Sequence, residues 1–204
     1  MTTTLLERAE PVPEVAGRLI ERFIPLSDVA EKHEMLVRAP AALVFDVARS
    51  FDLQSLPLVR AIFRARAWLM GAARPASDAF AKGLVAETTA LGWAVLAERP
   101  GRELVMGAVT RPWQGDVTFT PVPAYRFLQF DDPDLVKIVW TLEAEPHGPR
   151  LTRFRTETRV FATDAAARTK FLRYWRWARF GIVLTRWLLL PAVRREAERR
   201  STTT

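Results

Sequence analysis

The stretch Lys170–Leu190 reads KFLRYWRWARFGIVLTRWLLL and holds three of the chain's seven tryptophans, with arginines set among them. It can be read as a membrane span, a nucleic-acid-binding helix or one wall of a folded core. A spanning helix needs about 20 mainly apolar residues. Here Arg173, Arg176, Arg179 and Arg186 interrupt the run, leaving Phe180–Thr185 and Trp187–Val193 as the longest uncharged pieces. An arginine near the bilayer centre costs roughly 3 kcal/mol or more, which argues against a span.

A helix is expected. Thr163 or Asp164 can cap it, Ala165–Ala167 favour it by propensity, and Arg194, Arg195, Arg199 and Arg200 suit its negative end. Pro191 is expected to kink or interrupt its last turns. Phe171, Tyr174, Ala178, Ile182, Thr185 and Leu189 follow helical spacing and predict the buried stripe. The small residues Ala178, Gly181 and Thr185 let the helix approach a sheet or leave room beside it. Trp177, Phe180, Leu184, Trp187 and Leu188 spill beyond the stripe, toward other elements, a partner chain or a membrane surface.

The rest of the chain is globular in balance, with 49% hydrophobic and 26% charged residues, so a real core is expected. The net charge of +7 is mostly arginine and by itself predicts no specific nucleic-acid partner. No cysteine is present, which excludes disulfides and cysteine-ligated metals. The N-terminal stretch lacks an apolar signal-peptide region, so a cytoplasmic location is expected.

Residues 1–31 are read as an arm, 32–200 as the domain and 201–204 as a flexible tail. Lys32–Arg38 predicts a first strand, followed by helices over Ala41–Ser50, Leu56–Met70 and Asp78–Thr89. From Leu91 the period becomes two. Trp93–Glu98 and Glu103–Arg111 flank the turn Arg99–Arg102, with Glu98 and Glu103 both expected in water. Trp93, Val95 and Ala97 would then share a face with Leu104, Met106 and Ala108. The opposite face is apolar, and the N-terminal arm is the candidate to cover it.

Val117–Thr120 predicts a short strand, and Tyr125–Phe130 a turn of helix or an edge strand. Leu135–Glu145 is the clearest strand, with Val136, Ile138, Trp140, Leu142 and Ala144 on one face. Pro146–Pro149 turns the chain into Leu151–Phe161. Placing Glu143 opposite Arg153 and Trp140 opposite Thr156 puts Thr152, Phe154, Thr156, Thr158 and Val160 on the inner face. Three threonines there need hydrogen-bond partners if buried.

The order is strand, helices, antiparallel strands, long helix. With KHEMLVRAPAALVFDVAR (32–49), GRELVMGAVTRPW (101–113), FDDPDLVKIVWTLEAEP (130–146) and RLTRFRTETRVFATDAAARTKFLRYW (150–175), the chain resembles the START-like, or SRPBCC, superfamily from about His33 to Arg200. The resemblance implies an α+β helix-grip fold, a curved antiparallel sheet wrapped around a long C-terminal helix with two short helices after the first strand. It also implies a ligand cavity between sheet and helix. Members bind lipids, sterols, polyketides or plant hormones, and some are cyclases or hydroxylases. The N-terminal arm and the segment near 71–90 depart from the family pattern.

Chemistry-bearing motifs are sparse. His33 and His147 have no carboxylate at metal-ligand spacing, and no G-x-S-x-G, P-loop or G-x-G-x-x-G occurs. No catalytic residue, metal or cofactor is therefore expected. Asp131–Asp134 reads as a turn. Arg111 and Trp113 can hold a carboxylate or phosphate head at a cavity mouth. Trp93, Met106 and Trp140 face inward, Thr156, Thr158 and Tyr174 can orient a ligand, and Trp177 and Ala178 can line the cavity. These ten are the candidate ligand-binding residues. The expected function is binding of a small hydrophobic ligand. The alternatives are a cyclase- or hydratase-type enzyme using Glu157 or Tyr174, although Glu157 faces outward in this register, and a peripheral membrane or partner-binding module using Trp187–Leu190 and Arg194–Arg200.

Overall fold

Alternation carries the sheet. In the computed structural model, which describes residues 17–52 and 83–203, a long hairpin of β5 (Val136–Gly148) and β6 (Leu151–Ala162) forms its centre. β1 (Val29–Val37) pairs with β6 as one edge, and β3 (Glu103–Thr110) pairs with β5 on the other side. β2 (Ala94–Arg99) and the two-residue β4 (Phe119–Thr120) share the outer side of β3. The order is β1-β6-β5-β3-β2, antiparallel throughout. The helices are α1 (Ala41–Ser50), α2 (Leu84–Ala90), α3 (Ala124–Phe127) and α4 (Ala165–Thr203). The fold is α+β and of the helix-grip type. The expected helix Leu56–Met70 and the first part of Asp78–Thr89 lie outside the described residues, as does the arm before Gly17.

α1 runs over the residues its sequence marks, with Pro40 before its first turn. Asp164 caps α4, its Oδ1 accepting from Ala167 N at 2.7 Å. Two expectations about α4 are corrected. The helix is not interrupted at Pro191 but continues to Thr203. Ser201 in its last turn is buried, and its carbonyl accepts from Arg150 Nη2 at 2.7 Å. The buried stripe runs through Ala167, Phe171, Trp175, Arg186, Leu190, Val193 and Ala197, not through Tyr174, Thr185 and Leu189. The stripe shifts because the helix tucks a positive side chain, Arg186, under the sheet.

Two expected registers also change. Glu143 faces Arg155 and Trp140 faces Thr158, two residues from the expected pairing, because β5 extends through Pro146–Gly148 and turns at Pro149–Arg150. A shift of two preserves the faces. In the β2–β3 hairpin a bulge between Val95 and Ala97 moves Ala97 opposite Val105 and Glu98 opposite Leu104. Glu98 therefore stands on the inner face beside Arg49, and Glu103 is buried on the outer face.

That outer face is covered, as its apolar composition requires. Leu19, Ile20, Phe23 and Ile24 pack with Leu96, Val105, Val109, Val139 and Phe127. Leu19 N donates to Glu103 at 2.8 Å, and Arg18 bridges Glu143 (2.9 Å) and Glu157 (2.5 Å). The strand β1 then begins at Val29, within what the sequence marks as arm.

Candidate functional site

The concave face is packed at its two ends. At one end α1 and Leu190–Ala197 of α4 pack with Leu104, Met106, Leu142 and Phe154. At the other, Phe171 and Trp175 pack with Val136, Val160 and Ala162, with Trp113, Tyr174 and Ile182 alongside. Between Trp175 and Leu190 only one helix residue, Arg186, is buried among those described. Ala178, Gly181 and Thr185, all small, are only partly buried there. On the facing sheet Ile138 and Trp140 of the central strand β5 are also only partly buried.

The registers also align one transverse row, whose Met106 belongs to the packed cluster around α1 and whose Trp140 borders it. Val95, Met106, Trp140, Thr158 and Glu31 face one another in turn across β2, β3, β5, β6 and β1. The next row places His33 against Thr156. The row is apolar on the β2–β3 side and polar on the β6–β1 side.

Arg186 meets the polar end. Its Nη1 donates to the Glu31 carbonyl at 2.9 Å, and its Nη2 donates to Thr158 Oγ1. No carboxylate lies within ion-pair distance of it among the described residues, although the fields of Glu31 and Glu157 favour its charge. Burial pulls its guanidinium down to about 10, against those carboxylates, so it remains cationic at neutral pH. The arginine is 8% exposed. His33 sits beside it, with Nε2 buried and without a hydrogen-bond partner, 3.9 Å from the Glu31 carboxylate. Burial and then the Arg186 charge push the His33 imidazole below its ordinary value, against the pull of Glu31.

The sequence-derived candidates divide by place. Met106, Trp140 and Thr158 share the transverse row, Thr156 lies in the adjacent row, and Ala178 is on the helix between the two packed ends. Trp93 precedes β2 and packs against Phe119 at 5.1 Å between ring centroids. Tyr174 and Trp113 belong to the packed end around Phe171. Arg111 is turned to the 131–134 loop, its Nε donating to the Asp134 carbonyl at 2.8 Å and facing the Asp134 carboxylate at 3.3 Å. Trp177 is 76% exposed on the outer side of α4. Glu157 lies on the outer face, bound by Arg18 and Arg159, so it cannot act in the cup.

Arg186, His33 and Glu31 were not among the sequence candidates. Arg186 stands in a ladder of arginines that otherwise faces solvent. His33 and Glu31 share a strand whose inner face becomes apparent only once β1 is paired to β6.

Outside the row, a groove of about 360 Å³ runs between β1 and α4, lined by Glu31, Arg179, Phe180, Val183, Leu184 and Trp187. Glu31 thus belongs to both the groove and the polar end of the row. A second hollow, about 470 Å³, lies between the end of α1 and the arginine-rich last turns of α4. Among the described residues no group of acidic and histidine side chains is arranged to hold a metal ion. No described helix is long and apolar enough to cross a membrane.

No protein-family model matches the sequence, and the comparison with curated proteins returned no match. Two solved structures show a likeness. A structural-genomics target from Deinococcus radiodurans is 15% identical, with a TM-score of 0.30, over 75% of this chain and 99% of its own. The Zhui aromatase/cyclase from Streptomyces is 14% identical, with a TM-score of 0.29, over 84% of this chain and 94% of its own.

Proposed function

We propose that the chain binds a small hydrophobic molecule between the sheet and α4, as a carrier or sensor. The observation that supports it is the incomplete packing of the concave face between its two core clusters. A central strand normally buries its inner residues fully, because protein interiors are close-packed. Ile138 and Trp140 are central yet only partly buried, and so are Ala178, Gly181 and Thr185 on the stretch of α4 between the two clusters. Apolar walls with a few convergent polar groups are the usual composition of a ligand site.

The test is titration with the neutral fluorophore N-phenyl-1-naphthylamine. Saturable binding is expected, weakened at least tenfold by Ala178→Phe, which fills the space from the helix side. An Ala178→Phe variant that folds and binds the probe as the wild type does would remove this reading, as would no binding by the wild type.

A second reading rests on a different observation. Trp177, Phe180, Leu184 and Trp187 form an exposed stripe at three-and-four spacing, and Trp187 is 69% exposed. Arg173, Arg176 and Arg179 are exposed beside it with no carboxylate partner among the described residues. The apolar surface has thus moved from the expected Trp187–Leu190, because Leu190 turns into the core. The tail arginines Arg194, Arg199 and Arg200 are engaged by Glu198 and Glu196. An aromatic stripe flanked by arginines without carboxylate partners among the described residues matches an anionic lipid surface. Co-sedimentation with vesicles containing about a third phosphatidylserine is expected, lost in Trp177→Ser/Trp187→Ser and reduced by salt. Equal sedimentation of wild type and variant ends this second reading.

A further inference from the structure

A buried arginine with no carboxylate in contact is an expensive arrangement. Taking a guanidinium out of water is unfavourable unless an anion and full hydrogen bonding offset it. Arg186 is satisfied by one backbone carbonyl and one threonine hydroxyl, both neutral. Its remaining N–H donors have no protein partner among the described residues. If tying α4 to β1 were its whole task, a neutral side chain would do it without burying a charge.

Its place is as informative as its bonding. Arg186 is the one buried residue of the loosely packed span of α4. It meets the sheet where the transverse row changes from Val95, Met106 and Trp140 to Thr158 and Glu31. Trp140, paired with Thr158, and Ile138 are only partly buried, and apolar surface that ends on a cation is the mould of an amphipathic anion. Arginine's planar fork matches a carboxylate, and Thr158 Oγ1 and the unpartnered His33 Nε2 lie at the same end. Glu31 opposes an anion there. It lies 3.9 Å from His33 Nε2 and lines the groove beside β1, so its carboxylate stands on the entry side of the arginine.

We infer that the ligand of this cup is a long-chain carboxylate, its head bound by Arg186 with Thr158 and its chain laid along Trp140 and Ile138. The inference rests on the hydrophobic-ligand reading and adds the chemical class. Arg111, the sequence-stated choice for such a head, is committed to Asp134.

The test is displacement of bound N-phenyl-1-naphthylamine by dodecanoate and by methyl dodecanoate, at pH 7.5 and below their aggregation limits. These share a chain and differ in the charge of the head. The wild type should release the probe at about tenfold lower dodecanoate than ester, the discrimination expected of a buried charge-assisted hydrogen bond. In Arg186→Met the ratio should fall to about one through loss of the acid, with the probe and the ester still bound. Arg186→Gln keeps a donor for the Glu31 carbonyl and removes the charge. It should also give a ratio near one, and it serves if the methionine variant does not fold. Equal displacement by acid and ester in the wild type overturns the carboxylate assignment while the hydrophobic cup stands, and so does a preference for the acid that survives in Arg186→Gln. Failure of the wild type to bind the probe overturns both.

Discussion

At the scale of single residues, the unusual feature is a buried cation beside a partly buried imidazole. Burial disfavours protonation of His33, Arg186 beside it adds to that, and Glu31 only partly offsets the two. The folded imidazole therefore binds its proton at lower pH than the unfolded chain, whose value is about 6.5. Between those two values the unfolded state holds more protons, so stability is fully present above about pH 6.5 and is lost as pH falls through the folded value. Urea unfolding at pH 7.5 and 5.5 should show a smaller loss of stability on acidification in His33→Gln than in the wild type. An equal loss in both would mean that His33 titrates as it does in the unfolded chain. This corner was hard to read in the sequence for a physical reason. Helical arginines usually reach solvent, and only the pairing of β1 with β6 brings His33 and Glu31 under Arg186. Thr158 was legible, because strand parity alone sends it inward and burial then demands a partner, which Arg186 supplies.

At the scale of elements, the lesson lies in what survives a register error. The expected β5–β6 pairing is two residues from the observed one, yet its inner face is the same set of residues, because side chains alternate with a period of two. The β2–β3 hairpin is different. Its bulge inserts one residue, so Leu96 and Ala97 both serve the outer cluster and Glu98 passes to the inner face. No pattern of apolar residues announces that insertion. It becomes visible in the crowding around Gly107, where a Cβ would stand 2.4 Å from Leu96 Cδ1 and 3.0 Å from Phe127 Cε2. Gly107→Ala should therefore destabilise the protein by about 1–3 kcal/mol through overpacking. That is a fall in Tm of roughly 2–10 °C for a domain of this size, read by thermal unfolding. Leu96→Ala in the same background should recover part of the loss, since it removes the clashing atoms. A Gly107→Ala protein with wild-type Tm would show that the strand and Leu96 yield freely.

At the scale of the whole molecule, the sheet is closed on both faces, and the two closures differ in kind. The concave face is closed by α1 and α4, whose residues between the two core clusters are mostly only partly buried. The convex face is closed by the Gly17–Ile24 segment, which is short and held by apolar packing and by charge together. Arg18 reaches Glu143 and Glu157, Arg99 Nη1 holds the Gly17 carbonyl at 3.0 Å, and Arg159 Nη1 holds the Ile24 carbonyl at 2.9 Å. The apolar half of this clasp was legible, since the exposed-looking face of β2 and β3 needed a cover. The charged half was not, because Glu103, Glu143 and Glu157 look like solvent-facing residues of alternating strands and are nevertheless buried. Arg18→Ala tests the clasp. It leaves Glu157 with Arg159 and Glu143 with Arg155, so the cost falls short of a fully orphaned buried charge. Arg18 Nη2 is itself buried without a partner, which trims the net gain further. The expected loss is about 1–3 kcal/mol in urea unfolding. Burial raises the Glu157 carboxyl, and the hydrogen bonds from Arg159 and Arg18 more than reverse this, holding it below the usual carboxylate range. Its contribution is thus present above about pH 4.5 and lost as pH falls through the lowered value. The gap between wild type and Arg18→Ala should accordingly be widest near pH 7 and narrow toward pH 3. A gap that is absent at pH 7, or that grows on acidification, would show that Leu19, Ile20, Phe23 and Ile24 hold the segment by packing alone.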